Sequence, residues 1–356
     1  MFSERVRFIS IVRRQELHFW NMNSRRALWV VIPVLWASAA FAQSPFLFSC
    51  AEDIHIQTAK REPADSTAMK FVETLLGSDV KGGYDMMSTD GKANVTADQL
   101  AQAVQGIKQF EPKNPVIQHT YFIELKGKSP GNVVCAMDLT KPDGWESVAA
   151  TSVPEQAHVI LSAETRNNKL AFSVWLVPEQ KTWKVQSFWM NVSTLADKDS
   201  KDLWQLGREQ VAKKHNFNAA LLYAAAGQVA NRGPSFQLGI TQAIREDLSK
   251  LNLPSEIQGQ PPFSWKNGQV TYKVMNVGPI AITGKMYVII VHQVSPWQSD
   301  AEVDGWNKEL ISYFKQRFPE YSDVFSGLVA RAIEQGTNRG FGTVEELPVA
   351  KTSVAQ

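Results

Sequence analysis

KLAFSVWLVPEQKTWKVQSFWMNV, Lys169–Val192, decides how the first half of this chain folds. Two runs rich in β-branched and aromatic residues flank Pro178-Glu179-Gln180, which reads as a β-hairpin. With the turn at Glu179-Gln180, Pro178 faces Lys181, Leu176 faces Trp183, Val174 faces Val185 and Phe172 faces Ser187. Side chains alternate between the two faces of a strand. One face therefore collects Phe172, Val174, Leu176, Trp183, Val185 and Trp189. The other carries Lys184, Gln186, Phe188 and Met190.

Upstream of the hairpin the pattern continues as strands back to Pro115. VIQHTYFIEL (116–125), NVVCAMDL (132–139) and HVILSAE (158–164) are bounded by Gly, Pro and Asn. Before Pro115 the period is helical. A helix is expected from about Pro63 to a stop at Gly77, with Met69, Val72, Leu75 and Leu76 along one face. A short helix should hold Tyr84 to Met87. Another should start at the capping box Thr96-Ala97-Asp98-Gln99, in which Thr96 and Gln99 satisfy each other's backbone donors. Residues 43–62 read as a tail.

Helices followed by a curved antiparallel sheet that closes on TWKVQSFWM resemble the nuclear-transport-factor-2-like cone, the group of the SnoaL-like and ketosteroid-isomerase-like proteins. The resemblance spans residues 63–195 and rests on element order and the closing strand. It implies a largely apolar pocket between helices and sheet. Some members of that group perform acid–base chemistry there with an Asp or His, and others only bind or assemble. His119, on the first long strand, is the nearest candidate for such a base. Trp183 and Trp189, with Phe172 and Leu176, are the candidate ligand-lining residues.

Residues 198–253 are helical. Leu203, Leu206, Gly207, Ala219, Tyr223 and Ala226 have the spacing of a tetratricopeptide-like helix pair, a unit in which small residues let two helices approach. The closing proline of that repeat is missing. Asn231 stands in its place, with Pro234 three residues later, and no second copy follows. Such arrays need about three repeats to bury their faces, so a helical hairpin between two domains is the plainer expectation. Residues 254–262 read as a linker. Residues 263–343 form a smaller α+β unit that resembles no family. Its strands are expected at 269–274 and 285–292. Its helices are expected on the stripe Val303, Trp306, Leu310, Ile311, Phe314 and Phe318, and again over Phe325, Leu328, Val329 and Ala332. Residues 344–356 read as a loose tail. The expected fold class is α+β: helices on a curved antiparallel sheet, a helical middle segment, and a smaller α+β C-terminal domain.

The first 42 residues read as a leader. Arg25 and Arg26 precede the apolar run Ala27–Trp36, and Ala40-Phe41-Ala42 has the small-x-small form of a signal-peptidase site. Met22 offers an alternative start with an ordinary short basic head. Cleavage after Ala42 is the expectation. An uncleaved anchor at Ala27–Trp36 and lipidation at Cys50 are the alternatives. The apolar run is short of the roughly 20 residues a membrane span needs.

Residues 1–42 also hold six of the 37 Lys+Arg and two of the 35 Asp+Glu. The remainder is nearly neutral and gives no electrostatic case for nucleic acid. Both cysteines, Cys50 and Cys135, lie beyond the leader. After export they are either joined, or a buried Cys135 thiol and a loose Cys50.

No phosphate loop, dinucleotide fingerprint, nucleophile elbow or His-Glu-x-x-His occurs. The histidines lack ligand spacing, and no cofactor or metal is expected. The sequence reads as an exported binding protein of the bacterial envelope or periplasm. It is expected to be non-catalytic and to take a small apolar ligand or a protein partner. The alternatives are a small lyase, isomerase or hydrolase with His119 as base, and an interaction protein that works through the helical segment.

Overall fold

The computed structural model describes residues 48–127, 131–138, 140–141, 143–337 and 339–347. The leader, its start at Met22 and its cleavage site after Ala42 lie outside these residues. The fold is α+β. A five-stranded antiparallel sheet takes the order β1-β2-β5-β6-β7, built from Phe48–Glu52, Lys113–Leu125, Glu155–Glu164, Lys169–Glu179 and Thr182–Val192.

Helices α1 (Thr58–Leu76), α2 (Val80–Asp85), α3 (Thr89–Asn94) and α4 (Ala97–Lys108) precede most of it. The Thr96–Gln99 capping box is present at the start of α4. Phe71, Val72 and Leu75 of α1 and Leu100, Val104 and Ile107 of α4 close on Val159, Leu161, Phe172, Val174, Leu176 and Val185. Helix α1 starts at Thr58, with Pro63 inside it. Its extra N-terminal turn is tied down by side chains: Lys60 reaches Glu124 and Glu155, and Arg61 lies 3.5 Å from Asp65.

Residues 43–62 are not simply a tail. Phe48–Glu52 is an edge strand, paired with β2 from Phe48↔Leu125 to Glu52↔Tyr121. Its Cys50 is disulfide-bonded to Cys135 of β3 (Asn132–Met137), with the Cα atoms 5.0 Å apart. Strand β3 belongs to a second, small sheet of order β3-β4-β8, completed by Trp145–Ala149 and Phe236–Leu238. That sheet covers the face of the large sheet opposite the helices. Tyr121, Ile123, Val133, Val148 and Ile160 are buried between them.

The β6–β7 hairpin turns one residue later than its sequence suggests. Gln180 and Lys181 both take positive φ, 52° and 64°, between paired Glu179 and Thr182. That left-handed two-residue turn matches the twist of the flanking strands. Leu176 then pairs with Val185 but Trp175 pairs with Ser187, so Gln186 is an extra residue, a β-bulge. A bulge exchanges the faces of every residue beyond it. Trp183 and Val185 lie on the helix side as expected. Phe188 and Met190 also turn to the helices, and Trp189 turns to the opposite face. The expected grouping of Trp189 with Phe172 is therefore corrected.

The rest of the chain is built on helices α5 (Ser200–Ala212), α6 (Asn216–Ala230) and α7 (Gly239–Ser249) and a second five-stranded sheet. Its order is β13-β12-β11-β10-β9, from Gly340–Glu346, Gly327–Glu334, Lys285–Val294, Val270–Ile282 and Phe263–Asn267. Helix α8 (Asp300–Arg317) makes the crossover between parallel β11 and β12. Leu203, Phe217 and Tyr223 share one core with Trp265, Val288, Ile290, Leu310, Phe314 and Leu328. Gly207 permits the close approach of α5 and α6, because a Cβ there would stand 2.4 Å from the Tyr223 ring.

Two sequence expectations fail in this half. The helix expected over Phe325–Ala332 is strand β12: Leu328, Ala330 and Ala332 alternate inward, and parallel pairing with β11 overrides the weak helical spacing. Val344–Glu346 of the expected loose tail pair with Gly327–Val329 as part of β13. The stretch read as a linker holds a turn, Ser255–Ile257, in which the Glu256 carbonyl accepts Trp265 Nε1 at 2.7 Å.

Candidate functional site

The residues expected to line a cone pocket do not share one space. Phe172 and Leu176 are fully buried, packed into the closed core beneath the helices. Trp183 is half-buried, with its ring edge-on to Phe122 at 5.9 Å. Trp189 lies on the far side of the sheet. The helix side of this sheet acts as core.

His119 stands where β1 ends and the chain turns through Asp53–His55. Its Nδ1 donates to Asp53 Oδ2 at 2.9 Å and lies 3.6 Å from Glu52 Oε1. Asp53 Oδ1 accepts the Thr120 N–H at 2.7 Å. Burial and the neighbouring Asp53 push the Glu52 pKa up. One ligand atom each from Glu52, Asp53 and His119 lie close enough to share a cation. However, both Asp53 oxygens already have protein partners, and His119 is exposed at the surface. An Asp–His couple orients an imidazole, but catalysis also needs a place for substrate against it.

The stronger feature lies on the sheet face turned away from the helices. Register places Tyr121, His158, Trp175 and Ser187 in one row across β2, β5, β6 and β7. Ile160, Ser173 and Trp189 form the next row. The His158 ring stacks on Trp175 at 5.0 Å and meets the Phe236 ring edge-on at 5.4 Å. Above them the segment Asn231–Phe236 forms a roof. It encloses a cavity of about 50 Å³ lined by His158, Ser173, Trp175, Trp189, Arg232 and Phe236, among others.

The roof is fixed at both ends. Asn191 Nδ2 donates to the carbonyls of Gln228 and Asn231, and the Ala149 N–H donates to the Ser235 carbonyl at 2.8 Å. Gly233, at φ +90°, rests directly on Trp189, where a Cβ would come within 2.5 Å of the indole. Only glycine meets both the backbone and the contact requirement there.

Polar groups in this layer differ sharply in how they are satisfied. Gln156, fully buried, accepts from the Thr151 N–H and Trp175 Nε1 and donates to the carbonyls of Thr151 and Val153. By contrast, His158 Nδ1, Ser173 Oγ and Trp189 Nε1 are buried with no hydrogen-bond partner among the described residues. Seven such atoms occur there, and the three residues just named all line this one cavity. A buried polar atom left so costs about 1–3 kcal/mol, so their convergence calls for a physical reason.

His158 Nε2 donates to the Ala149 carbonyl at 2.8 Å, and burial pushes the imidazole down to about 4. The ring is therefore neutral near pH 7. Arg232 donates to the Val229 carbonyl at 2.7 Å. Burial lowers its pKa against the opposing pull of Glu146 and Tyr121. Tyr121 donates to Glu146, and burial together with that carboxylate raises the phenol pKa.

A larger open depression, about 310 Å³, lies beside the second sheet and is lined by Lys285, Asp323, Glu346 and Leu347, among others. Its acidic groups are already engaged: Asp323 with Lys213 and His215, Glu346 with Tyr287. Sequence reading missed His158, Ser173 and Arg232. The alternation of Gln156, His158 and Ile160 with apolar Ala157, Val159 and Leu161 was the available signal. A scan against protein-family models and a search of curated proteins found no match to the chain.

Proposed function

We propose that this protein is an exported, non-catalytic binding protein of the bacterial envelope. In this reading it is released by cleavage after Ala42 and holds a small molecule beneath the Asn231–Phe236 roof. The observation that carries the reading is the convergence of three partnerless buried polar atoms on one aromatic-walled cavity. Buried polar groups are normally hydrogen-bonded, and exceptions cluster where a site awaits something. The Cys50–Cys135 disulfide is consistent with an oxidising compartment, and no helix among the described residues is long and apolar enough to cross a membrane.

The ligand expected from sequence was apolar. The cavity suits one with apolar edges and a hydrogen-bonding group. The nuclear-transport-factor-2-like resemblance stays in this proposal as the framework of the first sheet and its helices, with binding moved to the opposite face. The enzyme reading has an oriented His119, but His119 lines neither cavity described above. The interaction reading needed an exposed groove over Leu203–Ala226, and Leu203, Ala219, Tyr223 and Ala226 are buried in the second core.

The test is a small-molecule screen on the chain from Gln43, read by melting temperature and by the Trp189 indole resonance. A saturable ligand that raises the melting temperature through mass action and shifts Trp189 is the expected result. A screen in which nothing perturbs Trp189 overturns the reading.

A further inference from the structure

The unsatisfied atoms specify what they lack. His158 Nε2 spends its proton on the Ala149 carbonyl. In the neutral ring, Nδ1 is then a bare acceptor that needs a donor. Trp189 Nε1 is a donor only and needs an acceptor. Ser173 Oγ serves either way.

Their spacing adds a second requirement. Ser173 and Trp189 are register partners on adjacent strands, whereas His158 lies one strand further and one row away. Two strand spacings amount to roughly 10 Å at the backbone. A ligand group that keeps donor and acceptor on different atoms bridges such an arrangement better than a single hydroxyl oxygen.

Charge narrows the class further. An anion would set its lone pairs against that of His158 Nδ1 and leave the acceptor unsatisfied. A cation would meet the Trp189 N–H and the Arg232 guanidinium, both electropositive. The cavity walls are aromatic, and its volume of about 50 Å³ suits a group of only a few heavy atoms.

We propose that this cavity is a binding site for a neutral primary amide or urea group, whose N–H donates to His158 Nδ1 and whose carbonyl oxygen accepts from Trp189 Nε1. Ser173 Oγ completes the set by bonding to either end. The assignment rests on the binding function proposed above and names its ligand class.

The test titrates the ¹⁵N-labelled chain from Gln43 with acetamide, acetate, methylammonium and ethanol at constant ionic strength. The Trp189 indole N–H resonance is identified by its loss in Trp189→Phe. Acetamide is expected to shift it saturably with a dissociation constant in the millimolar range, as befits four heavy atoms. Acetate, methylammonium and ethanol should bind at least tenfold more weakly. Ser173→Ala should weaken acetamide several-fold while the remaining spectrum stays folded.

Acetate, methylammonium or ethanol binding as tightly as acetamide would overturn the amide assignment and leave the binding function standing. So would a Trp189-shifting ligand from the wider screen that has no amide. If neither these probes nor that screen moves the resonance, the cavity holds water only and both readings fall.

Discussion

The two faces of the first sheet are made by the same strands, yet they are governed by different rules. On β6, Leu170, Phe172, Val174 and Leu176 point to the helices and are fully buried in an apolar core. Their neighbours Ser173 and Trp175 point the other way, into a layer of aromatic rings and polar atoms. The first face is closed and self-sufficient. The second is closed as well, but three of its polar atoms lack partners. Burial alone therefore does not distinguish core from site. The distinction lies in whether the buried chemistry is complete.

The sharpest way to break this comparison is a pair of adjacent substitutions. Phe172→Ala should cost about 3–5 kcal/mol, the range for truncating a buried aromatic side chain. Ser173→Ala removes a polar atom that has no partner and should change stability by less than about 1 kcal/mol. Urea unfolding of both variants measures the difference. Equal losses would mean that the two faces are one kind of core.

A second effect, smaller than the loss at Phe172, belongs to the far face alone. His158 is held neutral, with its folded pKa near 4 against an ordinary 6.5. Between those values the unfolded chain binds the proton and the folded one does not. Stability should therefore be independent of this group above about pH 6.5. It should fall as the pH drops toward 4, by about 3 kcal/mol in total. His158→Gln should flatten that slope in a pH series of melting curves. An unchanged slope would show that His158 is protonated in the folded protein.

The smallest effect is expected at His119. Its contact with Asp53 is exposed, and surface ion pairs contribute roughly 0–1 kcal/mol. His119→Ala should leave both stability and the Trp189 response to ligand nearly unchanged. Loss of ligand response in that variant would move the site toward the Asp53 corner.

Much of the framework was legible because local chemistry sets it. The capping box at Thr96 and Gln99 needs no tertiary context, and neither does the buried stripe of Val303, Leu310, Ile311 and Phe314 on α8. Strand β12 was misread because Leu328, Val329 and Ala332 fit a helix as well as a strand, and only β11 decides between them. Residue alternation could place Phe172 and Leu176 on one face. It could not show that an extra residue at Gln186 turns Trp189 to the other. The candidate site is still less visible from sequence: His158, Ser173 and Arg232 are far apart along the chain. They meet only through register across three strands and a roof supplied by a later segment.

That later segment affects the order of assembly. Strand β8 and the roof, Asn231–Leu238, belong spatially to the first sheet but follow α6 in the chain. As the polypeptide emerges from its N-terminus, the first sheet and its four helices are complete by Val192, with the cavity floor still bare. Some forty more residues, including a helical hairpin committed to the other core, must emerge before Ser235 can bond Ala149 and cover His158. The aromatic floor is thus exposed for that interval of synthesis and export, and it is the surface that a chaperone escorting the nascent chain would meet.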